Sequence, residues 1–362
     1  MNATDAHREK SIAGVIFGTA VGDSLGLPRE GMSRRRGRKM FGEQGLGHGF
    51  VFGRGMVSDD TEHTCIVGQA LLTSPRDVER FARSLAWGLR FWLLGLPVGL
   101  GKATLRAVLK LWLGFPPERS GVYSAGNGPA MRAAILGVCL DDIDQLKAYV
   151  RASTRLTHTD PRAERGALLV ALAASLGARL GPERTTANQI LPELKSAMHD
   201  SDAELEQFLA IMEDHLGRGD TPDQFANALG QTRGVSGYIY HTVPVALYCW
   251  LRWPGDVRRT VESAINLGGD TDTTGAIAGA LAGATAGAGA IPVDWLNGLM
   301  EWPRSVAWMR RLSEQLMKCI EQVGDPKNPG RVSLFWPGLI PRNLFFLVLV
   351  LVHVLRRLLP PY

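Results

Sequence analysis

An all-α fold is what this sequence predicts, and three observations carry that expectation. Apolar residues recur at helical spacing from one end of the 362-residue chain to the other. Alternating β-branched runs bounded by turn residues, the mark of strands, are scarce. Pro97, Pro116, Pro117, Pro161, Pro254 and Pro292 fall between the periodic segments or at their starts, where proline is tolerated.

The first helix is expected over 10–25. Gly14, Gly18 and Gly22 recur there at every fourth position, a stripe of small residues that lets another helix approach closely. Further helices are expected over 61–73, 77–94, 101–112, 127–138, 143–155, 163–180, 186–197, 202–215, 221–228, 241–251, 256–266, 273–287, 293–300 and 303–322. No repeat with a period of about 20–50 residues interrupts this order. The chain therefore reads as one compact helical domain over 1–325, followed by an extension over 326–362. Within the extension, Leu344 to Leu355 is almost wholly apolar, and Arg356 and Arg357 follow. That run is too short for a bilayer span, which needs about 20 residues. It reads as a hydrophobic helix docked on the body or on a partner. The alternative is a membrane-surface anchor with the two arginines among the headgroups. His353 within the run reads as a packed core or interface histidine.

Hydrophobic residues make up 45% of the chain and charged residues 21%, enough for a core and too balanced for wholesale disorder. Cys65, Cys139, Cys249 and Cys319 show no CxxC spacing, so they read as reduced, buried thiols. Met1 to Lys10 is polar and charged, unlike a secretory signal. A cytoplasmic location is the expectation. The net charge is +5. Much of the excess sits in Arg34, Arg35, Arg36, Arg38 and Lys39. Without interleaved aromatics, this run argues against nucleic acid and reads as a solvated loop or one that meets an acidic partner.

Two acidic clusters lie about 210 residues apart: Ser58-Asp59-Asp60-Thr61 and Asp270-Thr271-Asp272-Thr273. Each opens an expected helix. Brought together, four carboxylates in one small volume raise one another's pKa or demand a cation. An oxygen-only donor set suits a hard ion such as Mg²⁺ better than zinc. Helix capping is the competing account: Asp59 with Glu62 reads as a capping box, and acids at helix starts suit the dipole. The second cluster strains that account. Asn266-Leu267-Gly268-Gly269 precedes it, and a single cap needs one side chain where Asp270, Asp272, Thr273 and Thr274 are all on offer.

Four other segments hold more Gly, Asn, His and Arg than packing requires. They are Gly18 to Gly26 with Glu30 shortly after, Ser124 to Arg132, Leu156 to Asp160, and Gly237 to Pro244. Glycine backbone beside an Asn can wrap a ribose or a diphosphate, and an aromatic can stack on a base. In this order GDxxG, SDDT, GNGxxxR, THxxP and GGDTDTTGAIAGALAGA resemble the ADP-ribosylglycohydrolases, the family that includes dinitrogenase-reductase-activating glycohydrolase and the ADP-ribosyl-acceptor hydrolases. The resemblance runs from about Ile12 to about residue 300.

The resemblance implies an all-α, multi-helix orthogonal bundle with a binuclear Mg²⁺ centre at the base of an ADP-ribose cleft, Mn²⁺ being tolerated by the same ligands. By matching motif positions, the metal ligands would be Ser58, Asp59, Asp60, Asp270, Asp272 and Thr273. Gly126, Asn127, Gly128, His158 and Tyr238 would bind substrate. Asp59 and Asp60 would act in catalysis, with Glu30 where some members carry a mobile glutamate. The implied activity is hydrolysis of ADP-ribose from modified protein side chains, N-linked arginine first. Serine-linked or O-acyl ADP-ribose is the alternative, and a non-catalytic ADP-ribose or toxin binder is the other class. Implied partners are an ADP-ribosylated protein and, as for some relatives that act in immunity, an ADP-ribosyltransferase toxin. The arginine run at 34–39 and the apolar tail lie outside the family pattern.

Overall fold

The computed structural model describes residues 3–43, 45–198, 202–321 and 330–358. The helices run in the order α1 Ala3–Gly26, α2 Arg34–Phe41, α3 Asp59–Thr73, α4 Val78–Leu94, α5 Lys102–Trp112 and α6 Pro117–Ser120. Then come α7 Ala134–Cys139, α8 Ile143–Arg155, α9 Pro161–Leu180, α10 Ala187–Ala197, α11 Ala203–Arg218 and α12 Pro222–Ala228. The last six are α13 Ile239–Arg252, α14 Val257–Asn266, α15 Thr271–Ala286, α16 Val293–Gly298, α17 Val306–Glu321 and α18 Leu339–Arg357. Among the described residues there is no strand, only isolated bridges, so the all-α expectation holds. Starts are signalled locally. Asp77, Asp142, Asp160, Asp202 and Asp256 each accept a backbone N–H at a helix N-cap.

The centre of the molecule is the pair α1 and α15. Gly14, Gly18 and Gly22 of α1 lie against Gly283, Gly279 and Gly275 of α15, so the two helices run antiparallel with their backbones in contact. A Cβ added to Gly18 would stand 2.0 Å from the Gly279 carbonyl oxygen. Only glycine permits this approach. From Ser11 onward α1 is small or apolar on all sides and buried, and so is α15 nearly throughout, as a central helix pair must be. The crossing also places Asp23, near the end of α1, beside the start of α15.

Three local expectations are corrected. The helix expected over 127–138 is broken into a 3₁₀ turn, Ala130–Arg132, and α7. Asn127 and Gly128 stay in the preceding loop because the Asn127 N–H is spent on the Gly237 carbonyl at 3.1 Å. The arginine run is not a solvated loop but the helix α2. Arg34 and Arg38 fix it on Asp223, at 2.9 and 2.7 Å. Finally, the apolar tail helix begins at Leu339, earlier than the apolar run, with Pro341 accommodated in its first turn. The expected boundary at 325–326 lies outside the described residues.

Candidate active site

Helix α15 starts on the floor of a cleft of about 570 Å³. The chain enters it through Gly268 and Gly269, with φ of 70° and 81°. A Cβ on Gly269 would lie 2.0 Å from the Val235 carbonyl oxygen, so both φ and space require glycine here. Asp270 occupies the N-cap position yet makes no capping hydrogen bond. Its Oδ2 accepts instead from Asn127 Nδ2 at 2.8 Å. The Asn127 amide also donates to Thr242 Oγ1 at 3.0 Å, which fixes its orientation. Capping therefore does not account for the second acidic cluster.

Helix α3 supplies the first cluster. Ser58 is its N-cap, accepting from the Asp60 N–H and donating to Asp60 Oδ2 at 3.1 Å. The expected Asp59–Glu62 capping box is absent. Glu62 is turned away, accepting from Trp92 Nε1 and Arg304 Nη1, each at 2.6 Å. The two clusters, 213 residues apart in sequence, meet where Thr273 Oγ1 makes a long contact of 3.4 Å to Asp60 Oδ2. Asp60 is 1% exposed and Asp272 6%. Asp59 is partly exposed and, with Asp270, Asp272 and Thr273, lines the cleft.

Beneath both clusters sits Asp23, to which the GDxxG motif alone gives no role. Its carboxylate accepts from the N–H of Ser58 at 3.0 and 2.9 Å and of Thr61 at 3.2 Å, and from Thr61 Oγ1 at 2.5 Å. It thus anchors the first turn of α3 to α1. The available signal is its place as the acid of GDxxG, directly after the glycine stripe. Burial pushes its acid up to about 7.

The electrostatics of the floor are unfavourable for bare carboxylates. Burial, then the charges of Asp23, Asp59 and Asp270, holds Asp60 well above the usual range. Burial, then Glu30, Asp270 and Asp60, does the same to Asp272. Asp59 is raised by desolvation, then by Asp23 and Glu62. Asp60 Oδ1 and Asp272 Oδ1 are buried without any hydrogen-bond partner. Buried oxygens of this kind call for a cation or a proton. The donor set is oxygen only, so it fits Mg²⁺. No three acidic, imidazole or thiol groups among the described residues converge on one point, so the donors are crowded rather than already gathered.

The walls carry the other motif residues. Gly126, Asn127 and Gly128 line the cleft over His158. A Cβ on Gly126 or Gly128 would stand 3.2 Å from the His158 ring, so the glycines let the backbone pack closely on the imidazole. Burial, then the charge of Arg132, lowers His158 to about 3, so the ring is neutral. The motif arginine Arg132 is itself fully buried, donating to Thr157 Oγ1 at 2.7 Å and hydrogen-bonded to His63 Nδ1 at 3.1 Å. Glu30 is exposed at the rim, and desolvation with the Asp270 charge pushes its acid upward. Tyr238 is not part of the lining. Its backbone pairs with Gly126, but its hydroxyl donates to Glu204 at 2.9 Å and accepts from Arg162 at 3.3 Å. Ser124, at the head of the Ser124–Arg132 segment, lines the cleft too, as do Lys102, Thr104 and Ser236, which belong to no motif. A second cavity of about 560 Å³, bounded by Trp92, Trp308 and Trp336, is apolar and holds no carboxylate. It therefore offers nothing for this chemistry.

Residues 4–326 match the family described as ADP-ribosylglycohydrolase. The chain is 30% identical over 298 residues to an uncharacterized protein of Archaeoglobus fulgidus, covering 81% of this chain and 92% of that one. It is 29% identical over 303 residues to the ADP-ribosyl-dinitrogen reductase glycohydrolase of Rhodospirillum rubrum, covering 79% and 89%. It is 32% identical over 249 residues to ADP-ribosylhydrolase ARH3 of Xenopus tropicalis, covering 60% and 70%. A solved structure, an ADP-ribosylglycohydrolase-related protein complex, superposes with a TM-score of 0.65 at 27% identity, covering 87% of this chain and 99% of that one. Members are hydrolases and typically Mg²⁺-dependent. With all five motifs in order on one helical scaffold, the chain belongs to the ADP-ribosylglycohydrolase family.

Proposed function

We propose that this protein is an Mg²⁺-dependent hydrolase that removes ADP-ribose from modified protein side chains, N-linked ADP-ribosylarginine first. The observation that carries the proposal is a pair of orphaned oxygens: Asp272 Oδ1, whose residue lines a cleft walled by Gly126–Gly128, and Asp60 Oδ1, buried beside it behind Thr273. The name of the Rhodospirillum rubrum relative, a glycohydrolase of an ADP-ribosylated protein, supports the substrate class.

Ser58, Asp59, Asp60, Asp270, Asp272 and Thr273 would hold two ions, with Mn²⁺ accepted by the same oxygens. Ions bound there supply orientation of the ribose diol and acidification of water. The remaining work falls to the chain. Asn127 keeps Asp270 aimed into the cleft. Asp59, the more open of the α3 carboxylates, accepts the proton of the attacking water, with Asp60 as its buried neighbour. The glycines give the ribose and diphosphate close access to backbone, and neutral His158 presents a flat wall beside them. Glu30 at the rim is placed to cover the reacting sugar. A guanidine leaving group is basic and departs once protonated, so no dedicated acid is needed, unlike a two-carboxylate glycosidase.

The test is release of ADP-ribose from an arginine-ADP-ribosylated protein, with Mg²⁺ and with EDTA. Metal-dependent release that is lost in folded Asp270→Ala is the expected result. Wild-type rates in EDTA or in Asp270→Ala would refute it. Release from a serine-linked or O-acyl substrate alone would move the acceptor while keeping the site. Binding of ADP-ribose without any turnover would make the protein a binding module.

A further inference from the structure

Helix α18 carries an apolar face that the body of the protein leaves uncovered. Its other side is pinned inward. Arg342 pairs with buried Glu301 at 2.7 Å and donates to the Val57 carbonyl at 2.6 Å. Asn343 donates to the Gly95 carbonyl, and His353 Nε2 donates to the Pro28 carbonyl, both at 2.7 Å. Arg357 donates to the Glu30 carbonyl at 2.7 Å. Outward, Leu344, Val348, Leu351 and Leu355 follow one another at helical spacing and are 49–63% exposed. Phe345 and Val352 widen the stripe. Single exposed apolar residues are ordinary on a surface. A continuous apolar face along a 19-residue helix marks an interaction site.

Charge decides what the face meets. Arg36 of α2 donates to the Arg357 carbonyl oxygen, so the arginine-rich helix abuts the C-terminal end of α18. Arg35 and Arg356 are exposed there, and Arg36 is half-buried. From Gly330 to Leu358 the chain contains no acidic residue. The surface is thus an apolar stripe on a helix without acids, with a basic end beside which Glu30 is the neighbouring exposed acid.

We propose that α18 lies flat on an anionic lipid bilayer, its apolar stripe in the acyl boundary and the arginines of α2 and α18 among the headgroups. A spanning arrangement would require α18 to leave the body and break the buried Arg342–Glu301 pair. A second copy meeting this face across a two-fold axis would present the same acid-free helix α18 and offer Arg35 and Arg356 no carboxylate from it. Bilayer docking would set the cleft at a fixed orientation, because Arg342 and Arg357 tie α18 to Val57 and Glu30. It does not depend on which reaction the cleft performs.

Co-sedimentation of the full chain with phosphatidylcholine vesicles, with and without phosphatidylglycerol, tests this. Three basic groups near an anionic surface should favour the phosphatidylglycerol vesicles roughly a hundredfold, with the preference falling at high salt. Leu351→Glu, folded by circular dichroism, should cut partition roughly tenfold or more. Arg35→Glu with Arg356→Glu should abolish the anionic preference. Protein that stays in the supernatant with both vesicles, or Leu351→Glu that sediments like wild type, would overturn the proposal. A dimer by light scattering that Leu351→Glu dissociates, with no vesicle binding, would assign the face to a second copy and overturn it equally.

Discussion

Gly18→Ala is the sharpest test of how this fold builds its site. In an ordinary exposed helix the change is stabilising, because alanine has the better helix propensity by about 1 kcal/mol. Here the new Cβ would stand 2.0 Å from the Gly279 carbonyl oxygen. Comfortable carbon–oxygen contacts are about 3.3 Å or longer. The obstacle is backbone on a buried helix, so no rotamer relieves it. Helices α1 and α15 must part by about 1 Å, and the Gly14–Gly283 and Gly22–Gly275 contacts loosen with them. Overpacking of this kind costs about 3 kcal/mol at the upper end, which leaves a net loss of about 2 kcal/mol after the propensity gain.

The control is Gly217→Ala in α11, where nothing lies within 4 Å of the added carbon. That variant should gain about 0.5–1 kcal/mol. Urea unfolding of both variants beside wild type, compared at constant m, gives the two signs. The same displacement moves Asp23 relative to Asp272 and Thr273. Hydrolase activity in Gly18→Ala should therefore fall about a hundredfold even where the protein is folded. If Gly18→Ala is as stable as Gly217→Ala, backbone contact between α1 and α15 is not what holds the centre.

Three further outcomes follow from the same structure. His158 is held near 3 by burial while an unfolded histidine titrates at 6.5. Its contribution is present above pH 6.5 and is lost as the pH falls toward 3, with a slope of up to about 1.4 kcal/mol per pH unit. His158→Gln should flatten stability against pH in that window, and identical slopes in paired titrations would rule the effect out. Arg342→Ala leaves Glu301 buried and unpaired, at a cost of about 3–5 kcal/mol, whereas Arg342→Met with Glu301→Leu should lose much less; equal losses in thermal unfolding would dismiss the ion pair as the cause. Asn127→Ala frees Asp270 without removing it, so Mg²⁺ affinity by titration calorimetry should fall about 10–100-fold. Unchanged affinity would mean that Asn127 does not position Asp270.

Much of this architecture was legible because it rests on local signals. Helix periods and acidic N-caps are written in short windows, and the glycine stripe of α1 announced a close-packed partner. The partner itself, α15, was read as a helix with small residues, but nothing local pairs it with a segment some 260 residues away. The acidic clusters were legible as candidates, yet their junction through Thr273 and Asp60 is a tertiary fact. Misreadings arose where one residue had two uses. Asp59 looked like a cap because Glu62 follows three places on, but Ser58 takes that position and buried Trp92 and Arg304 claim Glu62. The arginine run looked solvated because its partner, Asp223, is distant in sequence. Asp23 stands in the GDxxG segment without an assigned role because its partners, the N–H groups of Ser58 and Thr61 and the Thr61 hydroxyl, lie on a different helix turn that only the tertiary fold brings near.

The glycine crossing and the acidic floor are parts of one arrangement. Carboxylates pressed together in a buried space repel one another, and the energy of that repulsion must come from elsewhere in the fold. Two features supply it. The first turns of α3 and α15 point their positive dipole ends at the cluster, which favours the carboxylates as anions. Asp23 on α1 fixes α3 through four hydrogen bonds, while the glycine contacts fix α15 to the same α1. Both acidic segments are thereby referenced to one rigid helix. That explains why a backbone-to-backbone crossing ends beneath the crowded carboxylates. A looser crossing would let Asp60 and Asp272 separate and relax, giving a more comfortable protein with its oxygen donors dispersed.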